Sequence, residues 1–341
     1  MMVVRSVGVH LGIFLLASSV AYRAWTTEAA DDSARGIAGK IWEGTADQVE
    51  AVSFVSKVAQ VRLVRHQDEE GAYYVGRFEK QSTKPAANPH TSTPSPSADG
   101  KKVSGAFIAV EQATALVDKL APLHAFRVLG KLEEGRKAEF GFDSDQGTIG
   151  VTIAGESQSL RVGDSTPGGT DRYVSDVGSG QVYVIDGSVV RDLIGGDSRL
   201  LQRQLHAFSL EDVTRVKLHA SDATAEYIRF EGKGEFWSTL GSADRKNETA
   251  SNWMAKIQRL VASSYVEVPE PQAVSGAPIF TLEYFVGTKK VGFVELRRIP
   301  GETAGQFEFL ARSETSRWYA LVLRSIAEQV SADVQSLLGG Q

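Results

Sequence analysis

The feature that most constrains the fold is an internal repeat. The stretch "ADQVEAVSFVSKVAQVRLVRHQDEEGAYYVGRF", which begins at Ala46, matches in pattern the stretch "LEDVTRVKLHASDATAEYIRFEGKGEFWSTL", which begins at Leu210. In each stretch, apolar and polar residues alternate along two strands, and an aromatic third strand follows a glycine turn. Alternation of this kind, interrupted by turn residues, is typical of antiparallel strands in a meander. The chain is therefore expected to contain two similar units.

The same order of elements continues after each meander. Both copies next show an apolar helical face with spacings of three and four residues. Its members are Val110, Ala113, Val117 and Leu120 in the first copy and Trp253, Ile257, Leu260 and Val261 in the second. Each helix runs into a short apolar tail, to which no strand is assigned. In each copy two hairpins follow, starting at Ile149 in the first copy and at Phe280 in the second. A final helix ends each copy. We therefore predict an α+β fold of two tandem repeats, each with three strands, a helix, four strands and a helix.

The predicted repeats occupy residues 46–205 and 206–341, after a polar and acidic tether at residues 26–45. An insertion at residues 79–104 interrupts the first repeat. Between Glu79 and Lys102 this insertion holds four of the ten prolines of the chain and almost no apolar residues. Such a segment cannot bury enough apolar surface to fold, so we predict that it is disordered.

Residues 1–25 are expected to be a membrane anchor or a signal segment. A largely apolar run from Ser6 to Tyr22 is flanked by Arg5 and Arg23. Its length is near the lower limit for a transmembrane helix. The sequence "SVA" at residues 19–21 is also an acceptable cleavage pattern, so an uncleaved anchor and a cleaved signal peptide both stay open. In the anchored form, the folded part would lie on the outer side of the membrane.

Composition narrows the function classes. The chain has no cysteine, which excludes disulfides, thiol catalysis and zinc sites built from cysteine. Its formal net charge is −5, and its basic residues form no stripe along a helix or strand, so we expect no nucleic-acid partner.

Residue types with catalytic or ligand-binding chemistry are present without the spacing that such chemistry requires. The histidines show no pairing typical of a metal site, and His219 is the one that could serve as a base beside Asp222. A calcium loop starting at Asp143 would need glutamate where Ala154 stands. Asn247 begins a glycosylation sequon. We predict that these residues are structural and assign no catalytic, cofactor-binding or metal-ligating residue.

The stretch "VGDSTPGGTDRYVSDVGSGQVYVID", Val162 to Asp186, is rich in glycine and aspartate. It could hold a phosphate or a cation, or it could be two turns between strands. The corresponding stretch of the second copy keeps the turns without the aspartates. We therefore predict a connection followed by a hairpin, with Tyr173, Val182 and Val184 packing in the core.

The same stretch carries a resemblance to a known family. The chain resembles the bacterial domain-of-unknown-function 4340 family at Leu160–Gly169, Arg172–Val174 and Gly180–Ile185. The segment "FSLEDVTRVKL" from Phe208 also resembles this family. The resemblance implies an N-terminal membrane segment, an outward domain and partners among ABC transporter complexes of the gliding-motility type. It implies no catalytic residue or cofactor.

These observations lead to an expectation about function. The chain is expected to be a non-catalytic accessory or scaffold protein, single-pass in the bacterial inner membrane, whose periplasmic domain contacts a membrane protein. The alternative is a module that binds an envelope glycan or a small ligand at the junction of the repeats. A hydrolase with dispersed carboxylates is a third hypothesis.

Overall fold

A computed structural model of the chain describes residues 36–81, 102–230, 236–242, 245–267, 277–301 and 306–339. The predicted anchor at residues 1–25 and the first half of the predicted tether, residues 26–35, lie outside these ranges. The second half is not a tether, because it contains a strand, Gly39–Trp42, that ends in a buried tryptophan. Within the described ranges, no helix has both the length and the apolar character needed to cross a membrane.

Antiparallel strands make up about half of the described chain, and helices pack on them, so the predicted α+β class is confirmed. The strands are β1 (Gly39–Trp42), β2 (Val49–Val55), β3 (Ala59–Asp68), β4 (Gly71–Gln81), β5 (Lys102–Ala109), β6 (Leu123–Ala125), β7 (Arg127–Lys131), β8 (Thr148–Ile153), β9 (Glu156–Ser165), β10 (Asp171–Asp176), β11 (Gln181–Asp186), β12 (Arg215–Ala220), β13 (Ala223–Phe230), β14 (Phe236–Thr239), β15 (Ala262–Val266), β16 (Phe280–Val286), β17 (Lys289–Pro300), β18 (Phe307–Ser313) and β19 (Tyr319–Val322). The α-helices are α1 (Glu111–Leu120), α2 (Gly187–Gly195), α3 (Asp197–Leu200), α4 (Glu248–Ile257) and α5 (Arg324–Gly339).

In the described ranges the strands form two large sheets and one small one. The first sheet has the order β5-β4-β3-β2-β8-β9-β10-β11-β7, and the second has the order β14-β13-β12-β16-β17-β18-β19-β15. In both, the first strand of the meander pairs with the first strand of the later hairpins, and the strand after the helix closes the far edge. The two sheets therefore have the same topology, apart from β5 at one end of the first. Strands β1 and β6 form the small sheet.

Helices cover one face of each sheet, and that face holds the core. In α1 the buried residues include Ala113, Val117 and Leu120, as predicted from the helical spacing. In the second unit, Trp253 on α4 is fully buried against Phe280 and donates a hydrogen bond from Nε1 to the carbonyl of Val330 on α5, at 2.9 Å. One continuous cluster contains most of the buried apolar side chains of both units, and Phe140, Phe142 and Val182 form a second, small cluster. We call β1–β11 with α1–α3 the first unit, and β12–β19 with α4 and α5 the second unit.

The apolar tails after α1 and α4 differ from the prediction, because each of them contains a strand. Strand β7 pairs with β11, and β15 pairs with β19. Each strand is only five residues long, and its partner lies far along the chain. Local alternation was too short to reveal strands whose pairing is non-local.

The insertion predicted at residues 79–104 is also shorter than expected. Strand β4 continues to Gln81, and β5 starts at Lys102, which is the pairing partner of Gln81. Sheet hydrogen bonds order these polar ends, although their side chains bury little surface. Residues 82–101 lie outside the described ranges.

A close contact between β4 and β5 offers a test of core packing. A Cβ atom at Gly76 would lie 2.3 Å from the ring of Phe107, whereas a Cβ atom at Gly135 would meet nothing within 4 Å. We expect Gly76→Ala to lower the free energy of unfolding by about 1–3 kcal/mol, because the buried ring has no space to move. Equilibrium denaturation measures this. An equal loss in Gly135→Ala, or no loss in Gly76→Ala, would contradict the packing described.

Candidate functional site

The junction between the two units is built around a buried linker. We call residues 201–206 the junction linker. Leu201, Gln202 and Leu205 are buried, although these residues connect two separate sheets. A buried segment without regular secondary structure requires partners for its backbone polar groups, and these partners define the junction. The predicted boundary between residues 205 and 206 falls inside this linker.

Gln202 bonds to both units. Its backbone N–H donates to the carbonyl of Ile108 on β5 at 2.8 Å, and its carbonyl accepts from the hydroxyl of Tyr265 on β15 at 2.8 Å. Its side-chain oxygen accepts from the backbone N–H of Glu111 at 3.3 Å, and its side-chain nitrogen donates to the carbonyl of Gln204 at 3.1 Å. Burial raises the pKa of Tyr265. Gln202, which is 1 % exposed, therefore links an edge strand of the first sheet to an edge strand of the second.

The rest of the junction linker is held by the second unit. The backbone N–H of Ala262 donates to the carbonyl of Arg203 at 2.9 Å, and the hydroxyl of Thr315 donates to the carbonyl of Leu205 at 2.7 Å. Buried polar groups that are satisfied in this way fix the position of a segment, because breaking any bond leaves an unpaired group in the interior. The junction linker is therefore part of the core and fixes one unit against the other.

Between described residues, two ion pairs also cross the junction. Arg317, on the β18–β19 turn, donates two hydrogen bonds of 3.0 Å to Asp68, and its guanidinium lies 4.9 Å from the ring centre of Tyr73. Its φ of +53° is unusual for a residue with a side chain, and Gly180 takes φ +70° at the corresponding turn of the first unit. The second ion pair joins Arg77 on β4 to Glu267, which follows β15.

A groove of about 650 Å³ lies at this junction. Its floor is the face of the first sheet opposite α1 and α2, which we call the outer face. Glu267 of the second unit forms part of its wall. The groove is lined by Ser53, Val55, Gln60, Val61, Arg62, Arg77, Phe78, Glu79, Ser104, Gly105, Ala106 and Glu267.

One row of residues crosses the floor of the groove. Pairing places Ser53 opposite Arg62, Arg62 opposite Arg77, and Arg77 opposite Ala106. Near the rim, Val55 and Val58 are 49 % and 61 % exposed. The groove therefore combines two arginines, short side chains and an apolar rim. Sequence reasoning located a candidate site at the repeat junction but not these residues, because they come from four strands and the tail of a fifth.

A second polar cluster lies beneath the junction linker. His206 Nδ1 lies 2.9 Å from Glu314 Oε1, both side chains are 11 % exposed, and the backbone N–H of Phe293 donates to Glu314 Oε2 at 3.1 Å. The buried hydroxyl of Tyr284 has no hydrogen-bond partner among the described residues, and burial, with the nearby charge of Glu314, raises the pKa of Tyr284 well above the ordinary value. These residues are distant in sequence, so no local pattern predicted the cluster. It ties the end of the junction linker to the second sheet.

The residues that the sequence offered as candidates for catalysis or ligand binding contact neighbouring side chains or form turns. His219 lies 3.1 Å from Thr224 and 3.5 Å from Glu283, within a surface network of charges. Asp143 to Gly147 form a turn before β8. The side-chain oxygen of Asn247 accepts the N–H of Ala250 at the start of α4, and its nitrogen, the atom that glycosylation would modify, donates to Thr239. In the described part of the chain, His, Asp and Glu residues form no group that could hold a metal ion.

The glycine-rich stretch forms the connection and the hairpin that were predicted. The backbone N–H of Gly169 donates to the carbonyl of Thr166 across the first turn, and Asp176 accepts from the N–H of Ser179 in the second. Gly168, Gly169 and Gly180 adopt positive φ, which explains the glycines. Val182 and Val184 are buried, and the half-buried Tyr173 packs on Phe140.

The ion pair at the junction should make stability depend on pH. Hydrogen bonding from Arg317 lowers the pKa of Asp68 below its ordinary value. Because the folded pKa is the lower one, this stabilisation is complete above the unfolded pKa and is lost as the pH falls through the folded pKa. We expect Asp68→Asn to cost about 1 kcal/mol at pH 7, since the pair is partly exposed, and progressively less below about pH 4.

Denaturation at pH 7 and pH 3 measures this difference, with Asp222→Asn on an exposed turn as the control. A cost for Asp68→Asn that equals the control at pH 7, or that does not decrease between pH 7 and pH 3, would contradict the assignment.

The family model described as "Domain of unknown function (DUF4340)" matches residues 104–276, about half of the chain. The match starts in β5, crosses the junction linker and ends beyond β15, so it includes parts of both units. No curated protein and no solved structure matches the chain. As the resemblance in the sequence predicted, the chain belongs to the DUF4340 family.

Proposed function

We propose that this chain is a non-catalytic accessory or scaffold protein, which binds a partner protein through the outer face of the first sheet. The observation that carries this proposal is the groove at the junction. It presents a sheet face with short side chains next to exposed Val55 and Val58, on a body that the junction linker makes rigid. Partners bind a preformed rigid surface with a smaller entropy loss than a mobile one.

The membrane part of the proposal depends on residues 1–25. If this segment anchors the chain, the two units act from the outer side of the bacterial inner membrane, and the anchor raises their effective concentration beside a membrane protein. The family resemblance makes a complex of the ABC transporter type the first partner to test.

A second candidate is a small ligand or an envelope glycan bound in the same groove, which is favoured by its position at the junction of the two units. Small-molecule sites are mostly lined by hydrophobic and aromatic side chains. Among the described residues that line the groove, Phe78 is the aromatic one, and its ring packs on Phe107 in the core instead. A hydrolase would use the carboxylates of the groove, but Glu79 and Glu267 are each paired with a cation, Lys102 and Arg77. Protein contact therefore has the stronger support.

Site-specific photo-crosslinking in native membranes tests the proposal. A photoreactive residue is placed at Val58, beside the groove, or at Val177, on the β10–β11 turn of the same unit. Both valines are 61 % exposed, so the two positions are matched in accessibility. With residues 1–25 retained, we expect a discrete crosslinked product containing a membrane protein from position 58 and none from position 177.

Mass spectrometry of the product identifies its protein component. Equal crosslinking from both positions would show that contact is nonspecific, and the absence of a protein product from position 58 would rule out the outer face as the contact surface.

A further inference from the structure

The two arginines of the groove stand in an unfavourable arrangement. Arg62 and Arg77 are direct partners on β3 and β4, both are exposed, and both lie on the outer face. Side chains directly opposite one another on antiparallel strands are about 5 Å apart at Cβ, and like charges in these positions destabilise the sheet. This cost requires an explanation from the surroundings or from function.

On the second sheet, by contrast, neighbouring strands place opposite charges next to each other, which is the usual arrangement. There Lys217 is paired directly with Glu226, which lies 3.5 Å from it and 3.1 Å from Arg215. Lys290 likewise lies 2.6 Å from Glu283. The charges on that face therefore neutralise one another, whereas the first sheet places two cations side by side.

The carboxylates of the groove neutralise only part of its positive charge. Glu267 pairs with Arg77, and Glu79 pairs with Lys102 at 2.5 Å. Within the described ranges, no acidic side chain forms an ion pair with Arg62. The neighbours of the arginine pair along the row, Ser53 and Ala106, are short, so they leave both guanidinium groups open to the groove.

The existing ion pair shows which chemistry fits. Both nitrogens at the end of Arg77 donate to the two oxygens of Glu267, the two-pronged geometry in which guanidinium groups recognise carboxylates. The side chains of Arg77 and Glu267 are 63 % and 45 % exposed. An ion pair this exposed contributes little stability, so a second carboxylate can displace Glu267 at small cost.

We infer that the groove binds an acidic segment of the partner protein, whose carboxylates lie between Arg62 and Arg77 and compete with Glu267. This inference rests on the proposed function, because it names the chemistry of the partner that the outer face contacts. The exposed rim valines would lie against apolar residues that flank the acidic ones.

Binding of a synthetic peptide of eight glutamates to the full chain tests the inference, with a peptide of eight glutamines as the control ligand. Fluorescence anisotropy at low salt measures both affinities. We expect Arg62→Gln to weaken binding of the glutamate peptide about fivefold, which corresponds to about 1 kcal/mol. Arg161→Gln, at another exposed arginine on β9 of the same sheet, is expected to leave the affinity unchanged.

A second variant separates a specific site from general attraction. Glu267→Gln removes the competing carboxylate and should tighten binding of the glutamate peptide severalfold. Glu133→Gln removes the same charge at an exposed turn outside the groove and should not. Thermal unfolding confirms that each variant folds.

Three results would overturn the inference: equal binding of the two peptides, equal losses in Arg62→Gln and Arg161→Gln, or equal gains in Glu267→Gln and Glu133→Gln. Its failure is distinguishable from failure of the proposed function. Crosslinking at position 58 without peptide binding would leave the partner contact standing and remove its acidic character. Peptide binding without crosslinking would show that the groove binds acidic segments and would remove the outer face as the contact surface for a membrane protein.

Discussion

The structure depends on the burial of one polar residue between two sheets. Gln202 is 1 % exposed, and its backbone and side-chain groups bond to β5, to the start of α1, to β15 and to its own linker. A buried amide with these partners costs little, whereas the same amide without them would be strongly destabilising. The linker therefore has one favourable position, and that position fixes the two units against each other.

This constraint produces the groove. With the linker in place, the turn that carries Arg317 covers the β3–β4 end of the outer face, where it bonds to Asp68 and packs on Tyr73. Glu267 reaches the middle of the same face at Arg77. The rest of the face, around Arg62, stays open. The sheet is thus partly covered by the second unit and partly available, which is an arrangement suited to contact with a partner.

Much of the fold could be predicted from the sequence, because residue spacing and alternation within a segment determine many of its helices and strands. The helical faces of α1 and α4 follow from residue spacing, and the meanders follow from alternation and glycine turns. Strands β7 and β15 were missed because five residues give little periodicity and their pairing partners are distant.

The polar ends of the 79–104 insertion were predicted to be disordered because composition does not reveal the hydrogen bonds of a sheet edge. The pairing of Arg62 with Arg77 depends on strand register, and the contact between His206 and Glu314 depends on tertiary packing. Neither is encoded in a local pattern.

Native-state hydrogen exchange of the junction linker tests the central claim most directly, because it reports the opening of individual amides. The N–H of Gln202 is buried and hydrogen-bonded to Ile108. If the linker belongs to the core, this amide should exchange only through unfolding that also exposes the core strands of both sheets, with protection similar to theirs. Exchange of the Gln202 amide as fast as that of an exposed loop, while the strands stay protected, would show that the two units move independently and would contradict the account.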